Sequence, residues 1–156
     1  MPMSKPRYDW WGHIQNVIRA YPSLKKEYDA LHQQSVTANL SGMPVSGCVS
    51  RGTESVAIRE LPRPKQIRYE AVKSAIEATE RLKNGKERLD MVKAAYWSNK
   101  KVTLAGAAYE INVSYDTAVN YHRDFVMLVA YFKGEIDYEE LSKFQKFTLK
   151  SQKKVL

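Results

Sequence analysis

VTLAGAAYEINVSYDTAVNYHRDF, residues 102–125, is the stretch that decides the fold. Thr103 can cap a helix, its hydroxyl accepting a backbone N–H of the first turn. Leu104, Ala107, Ala108 and Ile111 follow at helical spacing, and the two alanines are small where a second helix must cross closely. The run breaks at Asn112-Val113-Ser114. Asn tolerates positive φ second only to glycine, Val113 is an apolar plug for the turn, and Ser114 is a natural cap for a new helix. That new helix would turn Ala118, Tyr121 and Phe125 inward. Ser114, Tyr115, Asp116, Val119, Asn120 and Arg123 would be left on its outer side. This is the residue logic of a helix-turn-helix, whose second helix enters the major groove of DNA. An ordinary helical hairpin is the alternative.

Outward from this stretch the chain keeps a helical pattern. QIRYEAVKSAIEATERL, after Pro64, presents Ile67, Val72, Ala75, Ile76 and Leu82 as one apolar face. Asn84-Gly85 supplies a stop, because both residues enter left-handed backbone cheaply. KERLDMVKAAYW then carries Leu89, Val92, Ala95 and Tyr96 on a stripe, and Ser98-Asn99-Lys100-Lys101 breaks it. On the other side, DYEELSKFQKFTLKSQ reads as one more helix fraying into lysines. At the N-terminus, Tyr8 to Ala20 places Trp10, Ile14, Val17 and Ile18 at helical spacing, and Pro22 is expected to close that helix. Ser23 would start another, with Leu24, Tyr28 and Leu31 on its stripe. Ala38 to Gly52 is rich in Gly, Ser and Pro and reads as a mobile linker. TESVAIREL follows as a short helix before the stiff LPRPK connector.

No stretch combines β-branched alternation with hairpin turns. The predicted fold class is therefore all-α: an N-terminal helical segment (1–37), a flexible linker with a short helix (38–63), a helix-turn-helix DNA-binding domain (64–133), and a C-terminal helix with a basic tail (134–156).

The charge supports a polyanionic partner. The net charge is +8, from 25 Lys and Arg against 17 Asp and Glu. Its distribution is uneven: residues 61–101 hold 11 basic and 5 acidic side chains, whereas residues 102–133 hold 2 basic and 3 acidic. Lysines 143, 146, 150, 153 and 154 end the chain without an acid. Phosphate attraction would thus come from segments flanking the turn, Lys100 and Lys101 among them. No apolar run reaches the roughly 18 residues of a membrane span, and MPMSKPRYDWWGH does not read as a signal peptide. The single cysteine, Cys48, fits a reducing cytosol. The expected location is the cytoplasm, with no membrane partner.

AAYW, followed after a short basic gap by VTLAGAAYEINVSYDTAVNYHRDFV, resembles the C-terminal domain of RinA/ArpU-type phage late transcriptional regulators. The shared features are a tyrosine-tryptophan pair (Tyr96-Trp97), a threonine-led helix, and a valine-serine turn (Val113-Ser114) into the reading helix. The module is also similar to the promoter-reading region of bacterial sigma factors. The match covers about residues 86 to 132. It implies a phage or prophage activator that binds a promoter with the host RNA polymerase and turns on late genes in the bacterial host cytoplasm. Relatives often carry arginine just after the turn serine, where this chain has Tyr115-Asp116. Asn120 and Arg123 retain base-reading chemistry, since Asn can pair bidentately with adenine and Arg with guanine.

The candidate DNA-binding set is accordingly Lys100, Lys101, Thr103, Ser114, Tyr115, Asp116, Thr117, Asn120 and Arg123, with double-stranded DNA as partner. The N-terminal helices would serve self-association or polymerase contact. A phage small terminase subunit is the second reading, and a structural or RNA-binding helical protein the third. An enzyme is not expected, nor a cofactor. His13, His32 and His122 lack metal spacing with Cys48 and read as satisfied or solvent-exposed. Glu135, Asp137, Glu139 and Glu140 sit at a helix start, where acids complement the macrodipole. Trp10 is expected to pack inward, and Trp11 to lie under the second N-terminal helix or to anchor a partner.

Overall fold

The computed structural model describes residues 8–37 and 60–144, and every regular element among them is a helix. In chain order these are α1 (Trp11–Thr37), α2 (Arg63–Glu80), α3 (Gly85–Val92), a π-helical turn (Lys93–Trp97), α4 (Leu104–Glu110), α5 (Tyr115–Lys133) and α6 (Tyr138–Phe144). The expected linker with its short helix, and Cys48 within it, fall mostly on residues 38–59, and the last four lysines on residues 145–156. All of these lie outside the described residues.

α5 is the axis of the molecule. Phe125, Val126, Met127, Leu128, Val129 and Ala130 are buried in succession, so this half of the helix is covered on every side. α1, α2, α3, α4 and α6 all pack against it. At about 1.5–3 kcal/mol for each large apolar side chain taken from water, this segment carries much of the folding drive. The N-terminal half is covered on one side only. Ala118 and Tyr121 are buried there while Asn120 and Arg123 are exposed.

α1 departs from the sequence expectation. Pro22 does not close a helix; it lies inside a single 27-residue one. Ile14, Val17 and Ile18, before the proline, and Leu24, after it, are all buried on one continuous stripe. Burial along that stripe outweighs the roughly 3 kcal/mol by which proline disfavours a helix interior. A second compensation is local. Pro22 has no N–H to give the carbonyl of Ile18, four residues earlier, and the Trp97 indole N–H donates to that carbonyl at 2.8 Å. Ile14, Val17 and Ile18 share one core with Val72, Val92, Tyr121 and Phe125. A smaller cluster of Leu24, Leu61 and Tyr69, flanked by Tyr28 and Leu31, joins α1 to α2 farther along.

Two further expectations shift. On α2, Ile67 is 44% exposed and Tyr69 is buried in its stead. Tyr69 has rings to stack on, those of Tyr21 and Tyr28, and so takes the place of the aliphatic residue. Asn84 does adopt left-handed backbone, at φ 58. Gly85, however, opens α3 rather than ending α2. A Cβ there would stand 2.6 Å from the Thr79 carbonyl oxygen and 2.7 Å from that of Glu80, so only glycine fits the unaltered backbone.

Candidate nucleic-acid interface

The segment between α4 and α5 is held by its own backbone and hydroxyls. Thr103 caps α4, its hydroxyl accepting from Gly106 N at 3.2 Å. α4 ends with Asn112 at φ 62; Asn112 N donates to the Tyr109 carbonyl and Val113 N to the Ala108 carbonyl. This is the Schellman pair of bonds, and the left-handed residue makes it possible. Ser114 caps α5, accepting from Thr117 N at 3.2 Å, and its hydroxyl shares a 2.7 Å hydrogen bond with that of Thr117. Ala107, Ala108 and Ala118 are buried where the two helices cross. Thr103, Ser114 and Thr117 thus have structural roles, though Thr103 and Ser114 remain exposed.

The outer face of α5 carries Tyr115, Asp116, Asn120 and Arg123, all exposed, with Val119 half-buried at its edge. Arg123 Nη2 donates to Asn120 Oδ1 at 3.3 Å. The two side chains therefore form one exposed polar pair of amide and guanidinium. Asp116 stands in the first turn, where its charge complements the helix dipole. It also opposes an incoming phosphate at that end. Lys100 and Lys101 are exposed in the segment before α4, which a Ser98 hydroxyl braces by accepting from Lys100 N at 3.1 Å. Tyr109, on α4, is 88% exposed and was not in the sequence-derived set.

The inner side of the same helix holds two polar networks that sequence reading did not find. Arg88 Nη1 pairs with Asp124 Oδ2 at 2.9 Å, with side chains only 12% and 10% exposed. The Arg88 guanidinium also lies 4.6 Å from the Tyr121 ring centroid. The Tyr121 hydroxyl donates to Glu87 and accepts from Asn84, each at 3.3 Å. Burial pushes the Asp124 carboxyl above its ordinary range, and Arg88 draws it back down.

The second network centres on His122, which is neither exposed nor fully satisfied. It is buried, its Nε2 is hydrogen-bonded to the Tyr96 hydroxyl, and its Nδ1 finds no partner among the described residues. Burial, with the nearby charge of Arg19, lowers its pKa from 6.5 to about 4, so the ring is neutral. Burial likewise pushes the Tyr96 phenol up to about 12. Position 122 lies one residue beyond Tyr121 and four beyond Ala118, so the inward stripe was the one signal that could have placed it in the core. Trp10 and Trp11 are both half-buried, and Trp11 meets the His122 ring edge-on.

Elsewhere, Asp137 Oδ1 accepts from Glu140 N at 2.8 Å and caps α6, while Glu135 pairs with Lys133. Among the described residues no group of three or more His, Cys, Asp or Glu side chains could hold a metal ion. Nor is any helix among them long and apolar enough to cross a membrane. Comparison with protein-family models, curated proteins and solved structures gives no match for this chain.

Proposed function

We propose that the protein binds duplex DNA sequence-specifically, with α4 and α5 as a helix-turn-helix and α5 as the reading helix. One observation carries this reading. α5 buries Ala118, Tyr121 and Phe125 while leaving Asn120 and Arg123 exposed as a hydrogen-bonded pair at 3.3 Å. Asn and Arg are the residue types that pair bidentately with adenine and guanine in the major groove. Lys100, Lys101, Lys86 of α3 and the exposed basic residues of α2 would neutralise phosphates, setting register rather than sequence. Thr103, Ser114 and Thr117 hold the turn; Tyr115 and Asp116 frame the approach to the helix start.

The narrower reading rests on the resemblance of residues 86 to 132 to RinA/ArpU-type regulators. It is a phage or prophage late-gene activator acting with the host RNA polymerase in the bacterial cytoplasm, and not an enzyme. Selection of bound sequences from a random duplex pool tests the DNA assignment. A defined site should emerge, with affinity falling as salt rises by about −0.9 in log–log slope for each phosphate neutralised. No enriched sequence, or binding indifferent to salt, would overturn it.

A further inference from the structure

α5 turns by about 100° with each residue, which sorts its side chains into sectors around the axis. Tyr121, Phe125 and Ala118 face the core. Opposite them stand Tyr115, Val119, Arg123, Asp116 and Asn120, all exposed except the half-buried Val119. This outer sector has two borders, His122 on one side and Asp124 on the other, and both are buried. Each border residue is tied to a different part of the fold. His122 is hydrogen-bonded to the Tyr96 hydroxyl of the π turn, whereas Asp124 pairs with Arg88 of α3.

Both borders carry cations. Arg19 of α1, Tyr96, Val102 and His122 line one cleft, so Arg19 and the Lys100-Lys101 pair just before Val102 stand along the same edge of α5. All three cations are exposed, and none has a carboxylate partner among the described residues. No acid occurs from Trp10 to Lys26 or from Ser98 to Thr103. The Arg19 guanidinium stands 5.5 Å from the Tyr96 ring centroid and donates to Asn16 Oδ1 at 3.1 Å. On the Asp124 side, the corner between α2 and α3 is fastened to α5. Asn84 Nδ2 donates to the Tyr121 hydroxyl at 3.3 Å, and Arg88, paired with Asp124 at 2.9 Å, donates through Nε to the Lys83 carbonyl at 3.1 Å. Lys83 and Lys86 are exposed at this corner, again without a carboxylate partner among the described residues. Glu87, next in the chain, accepts from the Tyr121 hydroxyl.

A helix with its side chains is about 10–12 Å across, and the major groove of B-DNA is about 12 Å wide. A reading helix therefore fills the groove from wall to wall, and what flanks it on either side meets the phosphates of one strand. We propose that Arg19 of α1 and Lys83 of the α2–α3 corner bind phosphates of the two opposite strands bordering the groove that α5 enters. Arg19 acts with Lys100 and Lys101 on the His122 side, and Lys83 with Lys86 on the Asp124 side. The inference rests on α5 as the reading helix and adds α1 to the DNA-binding surface, a helix expected from sequence to serve self-association or polymerase contact. The planar fork of a guanidinium suits a phosphate, and the bond is charge-assisted. The buried links at His122 and Asp124 fix each basic ledge to α5, so strand spacing and base register are set together. The ledges carry no sequence information of their own.

The test uses the full chain, with a duplex carrying the site selected from the random pool as probe. Arg19→Gln and Lys83→Gln should each weaken binding about three- to tenfold near physiological salt, for the selected site and for random duplex alike. Each should also flatten the log–log salt slope by about 0.9. Arg19→Lys keeps the charge and should keep the slope. Lys133→Gln makes the same change of charge at the far end of α5 and should leave affinity and slope as in the parent. Both ledge residues are exposed, so the melting temperatures of their variants should match the parent. Ethylation of the probe's phosphates maps the grip. The phosphates at which ethylation blocks binding should form two groups, one on each strand; Arg19→Gln should erase one group and Lys83→Gln the other. Three results would each overturn the inference while leaving the DNA reading in place. One is either Gln variant matching the parent in affinity and slope at the selected site. The others are blocking phosphates confined to one strand, and a changed site preference in either variant. A parent that prefers no duplex sequence would overturn both together.

Discussion

The Trp97 indole N–H donates at 2.8 Å to the carbonyl of Ile18, the carbonyl that Pro22 leaves without its helical amide. A helix-breaking residue in α1 is thus matched by a donor from the end of the π turn, 79 positions from the Ile18 carbonyl that it bonds. Trp97 also packs against Tyr21 and Phe125, so it ties α1 to α5 through both its ring and its nitrogen. Trp97→Phe removes the donor and keeps most of the ring. It should cost about 1–3 kcal/mol in denaturant unfolding, as a buried carbonyl is left unpaired. In a Pro22→Ala background the restored backbone amide at that position can bond the Ile18 carbonyl instead, and the cost of Trp97→Phe should shrink. Equal costs in both backgrounds would show that the indole acts only by packing.

The Arg88–Asp124 pair invites a different cycle. Truncating one partner strands a charge in the core. Arg88→Ala should therefore destabilise the protein by roughly 3–5 kcal/mol at neutral pH. The double change Arg88→Met, Asp124→Leu removes both charges and should recover most of that loss. Arg88→Ala should also hurt less in acid, because protonation of Asp124, already favoured by burial, then removes the stranded charge. Denaturation curves of the three variants at two pH values decide it; no recovery in the double variant would count against the pair's assigned role.

His122 gives the pH dependence. Its folded-state pKa of about 4 lies below the ordinary 6.5, so between these values the unfolded chain binds the extra proton and the native state does not. Stability from this group is complete above pH 6.5 and declines as the pH falls towards 4. The 6.5-to-4 interval corresponds to roughly 3 kcal/mol. Histidine NMR titration should find the His122 ring neutral at about pH 5.5, inside that interval, and His122→Phe should flatten the stability profile across it. A ring already charged there would rule the account out.

Much of this was legible because it is local. Thr103 and Ser114 as caps, Asn112 in left-handed backbone, and Ala118, Tyr121 and Phe125 as an inward stripe each follow from residues within one or two turns. What escaped reading depends on residues distant in sequence. Pro22 reads as a stop until Trp97 is known to lie over Ile18. Arg88 and Asp124 look like ordinary surface charges until α3 meets α5. The π turn at KAAYW has no composition of its own, yet it sends Tyr96 to His122 and Trp97 to α1. The Tyr96-Trp97 pair that carried the family resemblance is thus a structural junction, and no base-reading role need be assigned to it.

Adjacent positions on α5 offer the sharpest separation of reading from folding. The Asn120 side chain is exposed and, among the described residues, bonds Arg123, whereas Tyr121 is buried among Arg88, Glu87 and Asn84. Asn120→Ala should leave the melting curve within about 0.5 kcal/mol of the parent, as surface changes do. If the outer face reads bases, the same variant should lose about 1–3 kcal/mol for its preferred site and little for random duplex. Tyr121→Ala empties a core position, and should cost roughly 3–5 kcal/mol of stability. Below its own melting temperature it should still prefer the same sequence, because Asn120 and Arg123 remain. Paired melting curves and competition binding on both proteins make the comparison. If Asn120→Ala keeps the parent's site preference while remaining folded, the outer face of α5 is not the reading surface. The Asn112–Ser114 break would then serve only to join two helices.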